Sequence, residues 1–299
     1  MKRWLAFGCV VLLVAAALAW SEVRKAHAPV DTRAVLYFLA DTERELGRLP
    51  FGLTRLSNEE EIAIGNELAG YDTRGFSGAQ PQDAEVAAIV ERVGQQIAVR
   101  AHRKLPYTFH YIPDLRLANA FALPGGHIFI GAGLIAMMDT EDQLAAVLGH
   151  EIAHVDRFHC AERFQVEARL RKLNLGVVGA LANLPLTIFQ AGYSKTQELE
   201  ADRVGTELAV RASYSPLGAV GLFEKFAALD RGESPRAGSP QAEVLRVTLG
   251  TLTGYFRSHP APNERIAQIQ RLIAEHNWEQ LTREKTLASR PAPPPKPAP

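Results

Sequence analysis

The stretch Gly149-His150-Glu151-Ile152-Ala153-His154 constrains this chain more than any other. It reads H-E-x-x-H. Residues four apart on an α-helix share a face, so His150 and His154 can grip one ion, and zinc favours imidazole nitrogens of this kind. Glu151 follows the first ligand, where a glutamate serves as general base of a metalloprotease towards a water that the metal activates. The flanking residues predict the helix. Thr140 suits an N-cap, and Glu141 and Asp142 put negative charge at the N-terminal end. Leu144, Ala145, Val147, Leu148, Ile152, Ala153 and Val155 then make the helix apolar nearly all round, which predicts a buried one. Two histidines and a glutamate inside such a helix need partners, because unpaired polar groups are costly there.

Two histidines leave a catalytic zinc site one protein ligand short. The candidates lie in Gln197-Glu198-Leu199-Glu200-Ala201-Asp202, within a predicted helix from Lys195 to Arg211. Ala201, Val204, Gly205, Leu208 and Ala209 define its inner face, and Glu198 lies at the edge of that face. Glu200, Arg203 and Glu207 fall together on the far side, towards solvent. Glu198 is therefore the expected third ligand of one zinc ion per chain. Asp202, one turn on, is placed to accept the second N–H of a zinc-bound histidine.

The chain has 299 residues and is 47% hydrophobic, enough for one large or two modest domains with a substantial core. Its net charge is zero, which gives no basis for a nucleic-acid partner. Two cysteines, Cys9 and Cys160, imply no disulfide framework. Residues 1–20 read as a signal peptide or N-terminal membrane anchor: Lys2 and Arg3 precede the apolar run Leu5 to Trp20, and Ala17-Leu18-Ala19 fits a small-x-small cleavage site. The chain is therefore expected to be exported to the periplasm or cell envelope, with the N-terminal segment as a means of membrane contact. A metalloprotease domain is expected over 29–287, with its core at 105–276, followed by a Pro-rich disordered tail at 288–299.

Along the chain, a helix is predicted over 32–46, and a loop from Gly47 to Arg55. Ser57 and Glu60 form a capping box that opens another helix. Tyr71 to Asp83 reads as a loop, and Asp83 to Arg100 as a helix with Val86, Ile89, Val90, Val93 and Ile97 at helical spacing. Strands are predicted at Tyr107–Ile112, Ala118–Leu123 and His127–Ile130, the last two joined by a Pro124-Gly125-Gly126 turn. The apolar 173–190 stretch is interrupted by Asn174, Asn183, Pro185 and glycines, which suits a buried or substrate-facing helix better than a membrane span. Further helices are predicted at Pro216–Leu229, Gln241–Phe256 and Pro262–His276, with a Gly/Pro/Ser linker at Asp230–Pro240.

Four features together resemble a known family, the membrane-associated zinc metallopeptidases that include HtpX and the CAAX prenyl protease, among the gluzincins. They are His150-Glu151-Ile152-Ala153-His154, the E-x-x-x-D spacing of Glu198 and Asp202, Asn119-Ala120-Phe121-Ala122-Leu123-Pro124-Gly125-Gly126, and Ser258-His259-Pro260 with Arg265 six residues after the histidine. The resemblance implies an α+β zincin-like fold, mostly helical with a small sheet beside the H-E-x-x-H helix. It also implies zinc at His150, His154 and Glu198, endopeptidase activity, and a place for His259 and Arg265 at the site.

Elementary chemistry gives those residues roles. His259 can donate to the oxyanion that develops during peptide hydrolysis; the resemblance implies an alternative, since in soluble relatives a histidine at the corresponding place can occupy the metal and hold the enzyme latent. Arg265 can pair with Asp202 or Glu198 and orient them. The strand Asn119, Ala120, Phe121 and Ala122 can hold an extended substrate by main-chain pairing, which favours unfolded or damaged protein over one particular sequence. The expected function is a zinc metalloendopeptidase in envelope protein quality control. The rival is a latent, protease-like chaperone or binding module with its zinc site capped by His259. Cys160 as a further ligand would close the position that water needs.

Overall fold

The computed structural model describes residues 56–72, 81–162, 193–230, 259, 262–281 and 285–288. All of them belong to one unit, Arg55–Pro299. The expected signal segment, the 32–46 helix, the 173–190 stretch and the 241–256 helix lie outside the described residues, as do nearly all of the Asp230–Pro240 linker and of the Pro-rich tail, and Ser258 and Pro260 beside His259.

The architecture is α+β. Helix α1 spans Asn58–Asp72 and α2 spans Pro81–Ala98. The strands are β1 (Thr108–Ile112), β2 (Ala120–Ala122) and β3 (His127–Gly131). A one-turn helix α3, Ala132–Ile135, leads to α4, Glu141–Asp156. Helices α5 (Lys195–Arg211), α6 (Leu217–Asp230) and α7 (Pro262–Glu275) follow. Among the described residues no helix is long and apolar enough to cross a membrane.

Local chemistry sets these elements. The Ser57 backbone N–H donates to Glu60 Oε2 at 2.8 Å and the Glu60 N–H donates to Ser57 Oγ at 3.2 Å, closing the capping box that starts α1. Thr140 Oγ1 accepts from the Gln143 N–H at 3.2 Å and caps α4. The acids that follow it do more than complement a helix dipole. Glu141 pairs with Arg92 of α2, and Asp142 accepts the Ser215 N–H at 2.6 Å and the Lys285 N–H at 2.5 Å. Residues 285–288 are thereby drawn onto the start of α4, where Thr286 bridges Thr140 and Leu287 is buried.

The sheet has the order β1-β3-β2, with β1 parallel and β2 antiparallel to β3. Alternation divides its faces. Ala120, Ala122, Ile128 and Ile130 join one cluster with Val90, Val93 and Ile97 of α2 and Leu144, Leu148 and Ile152 of α4. Phe129 joins the other, with Leu68 and Ala69 of α1 and with Phe121 packed against it. The sheet therefore lies between α1 and the α2–α4 layer. The turn into β3 needs its glycines: Gly125 and Gly126 have φ of 78° and 103°, and a Cβ on Gly125 would stand 2.7 Å from Ile62 Cα of α1.

Candidate metal centre

α4 and α5 bring the two halves of the motif together because they cross at glycine. A Cβ on Gly149 would lie 2.6 Å from the Gly205 carbonyl oxygen, and one on Gly205 would lie 2.6 Å from the His150 nitrogen. Any larger residue would separate the backbones. At this spacing His150 and His154 of α4 face Glu198 and Asp202 of α5, all four of them buried.

The donor atoms converge. His150 Nε2 and His154 Nε2 are 3.0 Å apart. Glu198 Oε2 lies 3.4 Å from His150 Nε2, and its Oε1 lies 3.5 Å from His154 Nε2. His259 enters the same cluster: its Nδ1 is 2.9 Å from Glu198 Oε2 and 3.2 Å from His150 Nε2. His150, His154, Glu198 and His259 each offer one ligand atom, and these four atoms all lie within 4.8 Å of one another.

The electrostatics suit a cation. Burial works against a charge on Glu198, but His259, His150 and His154 overcome it and hold the carboxyl well below the usual carboxylate range. Burial and Arg265 work against a proton on His150, yet Asp202 and Glu198 lift its pKa to about 9. His154, with burial dominant, is pushed well below the ordinary histidine value. A buried carboxylate charge amid imidazole nitrogens, with the nearest Arg265 nitrogen 4.0 Å away, is the donor set that a divalent ion such as zinc satisfies. The residues present therefore fit the metal.

Behind His150 stands a tight network. Its Nδ1 is 2.8 Å from Asp202 Oδ1, and Arg265 grips that carboxylate in a fork, Nε to Oδ2 at 2.7 Å and Nη2 to Oδ1 at 2.6 Å. The guanidinium also lies over the Phe223 ring of α6, 4.2 Å from its centroid. Arg265 Nη2 also lies 3.2 Å from His150 Nδ1, so the guanidinium meets this histidine directly as well as through Asp202. Burial opposes the Asp202 charge, but Arg265 outweighs it and keeps the carboxyl ionised.

Glu151 is different. It is fully buried, and neither carboxylate oxygen has a hydrogen-bond partner among the described residues. His259 Nε2 lies 3.7 Å from Oε1. Burial raises its pKa above the ordinary glutamate value.

β2 ends the sheet. Gly131 donates its N–H to Asn119 O at 3.0 Å, and Leu123 donates to His127 O at 2.8 Å, so every second residue from Asn119 turns its backbone groups to β3. The backbone groups of Ala120 and Ala122 therefore point away from β3, where the Ala120 N–H donates to Asn119 Oδ1 at 3.0 Å and Ala122 O accepts from the Cys160 thiol. Of the four residues of the expected substrate strand, Asn119 and Phe121 are committed to the sheet, and Phe121 also stacks on Phe129 at 4.9 Å.

The structure adds residues that sequence reasoning does not find. His159 Nδ1 is 3.0 Å from His154 Nδ1, and the Tyr193 ring stacks on His154 with centroids 3.7 Å apart. Glu200, expected to face solvent, is only partly exposed and approaches His159 Nε2 at 3.5 Å and Arg157 Nε at 3.7 Å. Burial opposes its charge less than the His159 contact favours it, and its pKa is lowered. Cys160 turns away from the ligands: its thiol donates to Ala122 O at 3.6 Å, and its sulfur is 3.2 Å from the Tyr193 hydroxyl.

Comparison with known proteins extends this picture. Residues 80–273 match the family model described as Peptidase family M48. The chain is similar to the mitochondrial metalloendopeptidase OMA1 of Schizosaccharomyces pombe, 29% identical over 215 residues that make up 70% of this chain and 58% of that protein. It is also similar to the beta-barrel assembly-enhancing protease of Escherichia coli K12, 29% identical over 230 residues, 69% of this chain and 43% of that one. Metalloprotease LoiP of the same strain is 31% identical over 163 residues, 51% of this chain and 57% of LoiP. The chain spans about half the length of the curated relatives it matches.

Proposed function

We propose, on the premise that this chain belongs to peptidase family M48, that it is a zinc-dependent endopeptidase of zincin-like fold acting on extended, unfolded or damaged proteins of the cell envelope. One observation carries the reading. His150, His154 and Glu198 converge, buried, beside a Glu151 carboxylate that no described residue engages by hydrogen bond. One zinc ion per chain would be held by those three ligands. Bound there, zinc supplies a Lewis acid that lowers the pKa of water and polarises a peptide carbonyl.

The chain's own residues do the rest. Glu151, with its pKa raised by burial, takes a proton more readily than an exposed glutamate and returns it to the leaving amine nitrogen. Arg265 and Asp202 fix the ring of His150, so the ligand does not reorient as charge develops nearby. The groups of Ala120 and Ala122 turned from β3 give a short edge on which an extended backbone can pair once it displaces the Asn119 side chain and the Cys160 thiol. Such pairing reads main chain rather than side chains, which suits unfolded substrates. The Leu5–Trp20 segment and the Ala17-Leu18-Ala19 site support export, by cleavage or with the segment retained as an anchor.

A second reading is favoured by the place of His259. Its Nδ1 lies among the ligand atoms, 2.9 Å from Glu198 Oε2, where it can cap the metal position instead of serving an oxyanion. In that reading the protein is a latched protease-like chaperone or binding module.

Casein proteolysis by wild type, Glu151→Gln and His259→Ala, with bound zinc quantified, tests both. Cleavage by wild type and none by zinc-loaded Glu151→Gln supports the protease and its base. Zinc-loaded wild type that is silent until His259→Ala supports the latch. Zinc in all three with no cleavage favours the binding module, and zinc in none of them overturns the metal assignment.

A further inference from the structure

We infer that His159 is the positioning residue of the His154 ligand, and that Glu200 completes a hydrogen-bonded relay behind it; the inference rests on the metal reading above. The relay follows from counting protons. His154 presents Nε2 to the ligand cluster, 3.0 Å from His150 Nε2. A nitrogen that binds a metal is bare, so the proton of a neutral His154 sits on Nδ1. That atom lies 3.0 Å from His159 Nδ1, which must then be the bare, accepting nitrogen of its own ring. The proton of His159 is left on Nε2, and Nε2 faces Glu200 Oε2 at 3.5 Å. Each tautomer dictates the next, from an interior nitrogen to a carboxylate at the surface.

The fold goes out of its way to place this ring. Helix α4 ends at Asp156, and Phe158 then adopts φ of +65°, a left-handed conformation that a bulky aromatic residue rarely takes. The Arg103 guanidinium lies over the Phe158 ring, 3.8 Å from its centroid, and Arg103 Nη1 donates to Val155 O at 2.8 Å, so the turn is held from outside. The reversal returns His159 against the helix it has just left. Its side chain is 4% exposed, with both ring nitrogens engaged. Tyr193 covers the flat face of His154 at an interplanar angle of 16°. His154 is thus held by an in-plane acceptor and a stacked ring, as His150 is held by Asp202.

The test is a zinc dissociation constant, measured on the full chain by competition with a chromophoric chelator. It is run for wild type, His159→Phe, His159→Gln and Glu200→Ala. Phenylalanine fills the space but leaves the His154 Nδ1–H without an acceptor in a dry site, and zinc binding weakens about 10–100-fold. Glutamine offers a carbonyl oxygen to the same N–H and keeps the constant within about threefold of wild type. Glu200→Ala, on a partly exposed side chain, weakens binding about 3–10-fold. A packing role alone would lower thermal stability without separating glutamine from phenylalanine in zinc affinity. Equal affinity of the two His159 variants, or Glu200→Ala binding zinc as wild type does, overturns the relay. Wild type that binds zinc with variants that match it leaves the metal reading standing and removes this one. Wild type that binds no zinc removes both.

Discussion

Substituting Gly205 by alanine tests whether the crossing of α4 and α5 builds the site. The added Cβ would stand 2.6 Å from the His150 nitrogen, 2.7 Å from the Gly149 carbonyl carbon and 2.8 Å from its oxygen. All three are backbone atoms of a buried helix, so no side chain can swing aside. To regain a contact of 3.4 Å, α5 must retreat from α4 by about 0.8 Å. Glu198 rides on α5, while His150 and His154 ride on α4. Metal–ligand distances tolerate only about 0.2 Å, so a shift several times larger weakens zinc binding by more than about tenfold. Stability responds to two opposed effects. Alanine gains up to about 1 kcal/mol of helix propensity over glycine, and overpacking costs about 1–3 kcal/mol. The net is a loss of up to about 2 kcal/mol, seen as a melting temperature lowered by several degrees in a domain of this size. Chelator competition gives the affinity, and thermal denaturation with excess chelator gives the stability without linkage to metal. Gly149→Ala meets Gly205 O at 2.6 Å and should reproduce both effects. A Gly205→Ala protein with wild-type zinc affinity and a raised melting temperature would refute the argument that this contact sets the ligand spacing.

Three further outcomes follow from other parts of the molecule. Arg103 and Glu61 form a buried pair at 2.9 Å with side chains 5% and 1% exposed, so Arg103→Met removes the guanidinium from a buried carboxylate and should cost about 3–5 kcal/mol in urea denaturation; a loss below about 1 kcal/mol would contradict it. Glu151→Gln should retain zinc while lowering kcat by about 100-fold or more, and a parallel fall in bound zinc would show that the residue does more than carry a proton. His110 and His127 lie 3.0 Å apart, and burial, then the neighbouring His127, lowers the His110 pKa to about 4. The folded state then binds fewer protons than the unfolded chain, whose histidines titrate near 6.5, so the stability held above pH 6.5 falls as pH drops from there towards 4. His110→Gln should show a shallower loss across that window in urea melts, and an identical slope would remove the pair as its cause.

Much of the site is legible in the sequence because helical period is a strong signal. His150 and His154 four apart, and Glu198 and Asp202 four apart on a second amphipathic helix, can be placed without a structure. The predicted limits of the Lys195–Arg211 helix are those observed, since Ser194 and Gln197 close a capping box at its start. Composition predicts a strand from Ala118 to Leu123, but pairing with β3 sets its length, and the strand is Ala120–Ala122. What the sequence does not show depends on tertiary contact. His159 is five residues from His154, a spacing with no meaning on a helix, and it faces that ligand only because the chain reverses at Phe158. Glu200 falls on the outer face of an isolated α5, and only the same reversal brings Arg157 and His159 over it. Tyr193 stands just before α5, where no period acts.

The site's partners are distributed according to what each residue must do. The two histidines proposed as ligands are fixed from behind, His150 by Asp202 and Arg265, His154 by His159 and Tyr193. A ligand that rotates loses the metal, so each imidazole is held by a hydrogen bond in its plane. Glu151 lies between them in sequence and is equally buried, yet neither of its oxygens is hydrogen-bonded among the described residues. A donor fixed on that carboxylate would hold its charge and lower its pKa, the opposite of what a proton carrier requires. Burial without a donor keeps the pKa raised and both oxygens open to a reacting water. The same helix turn therefore carries two kinds of buried polar group. On the proposed reading the ligands are over-determined for geometry, and the base is left without a hydrogen bond among the described residues, a loss of stability that a structural zinc site would have no reason to bear.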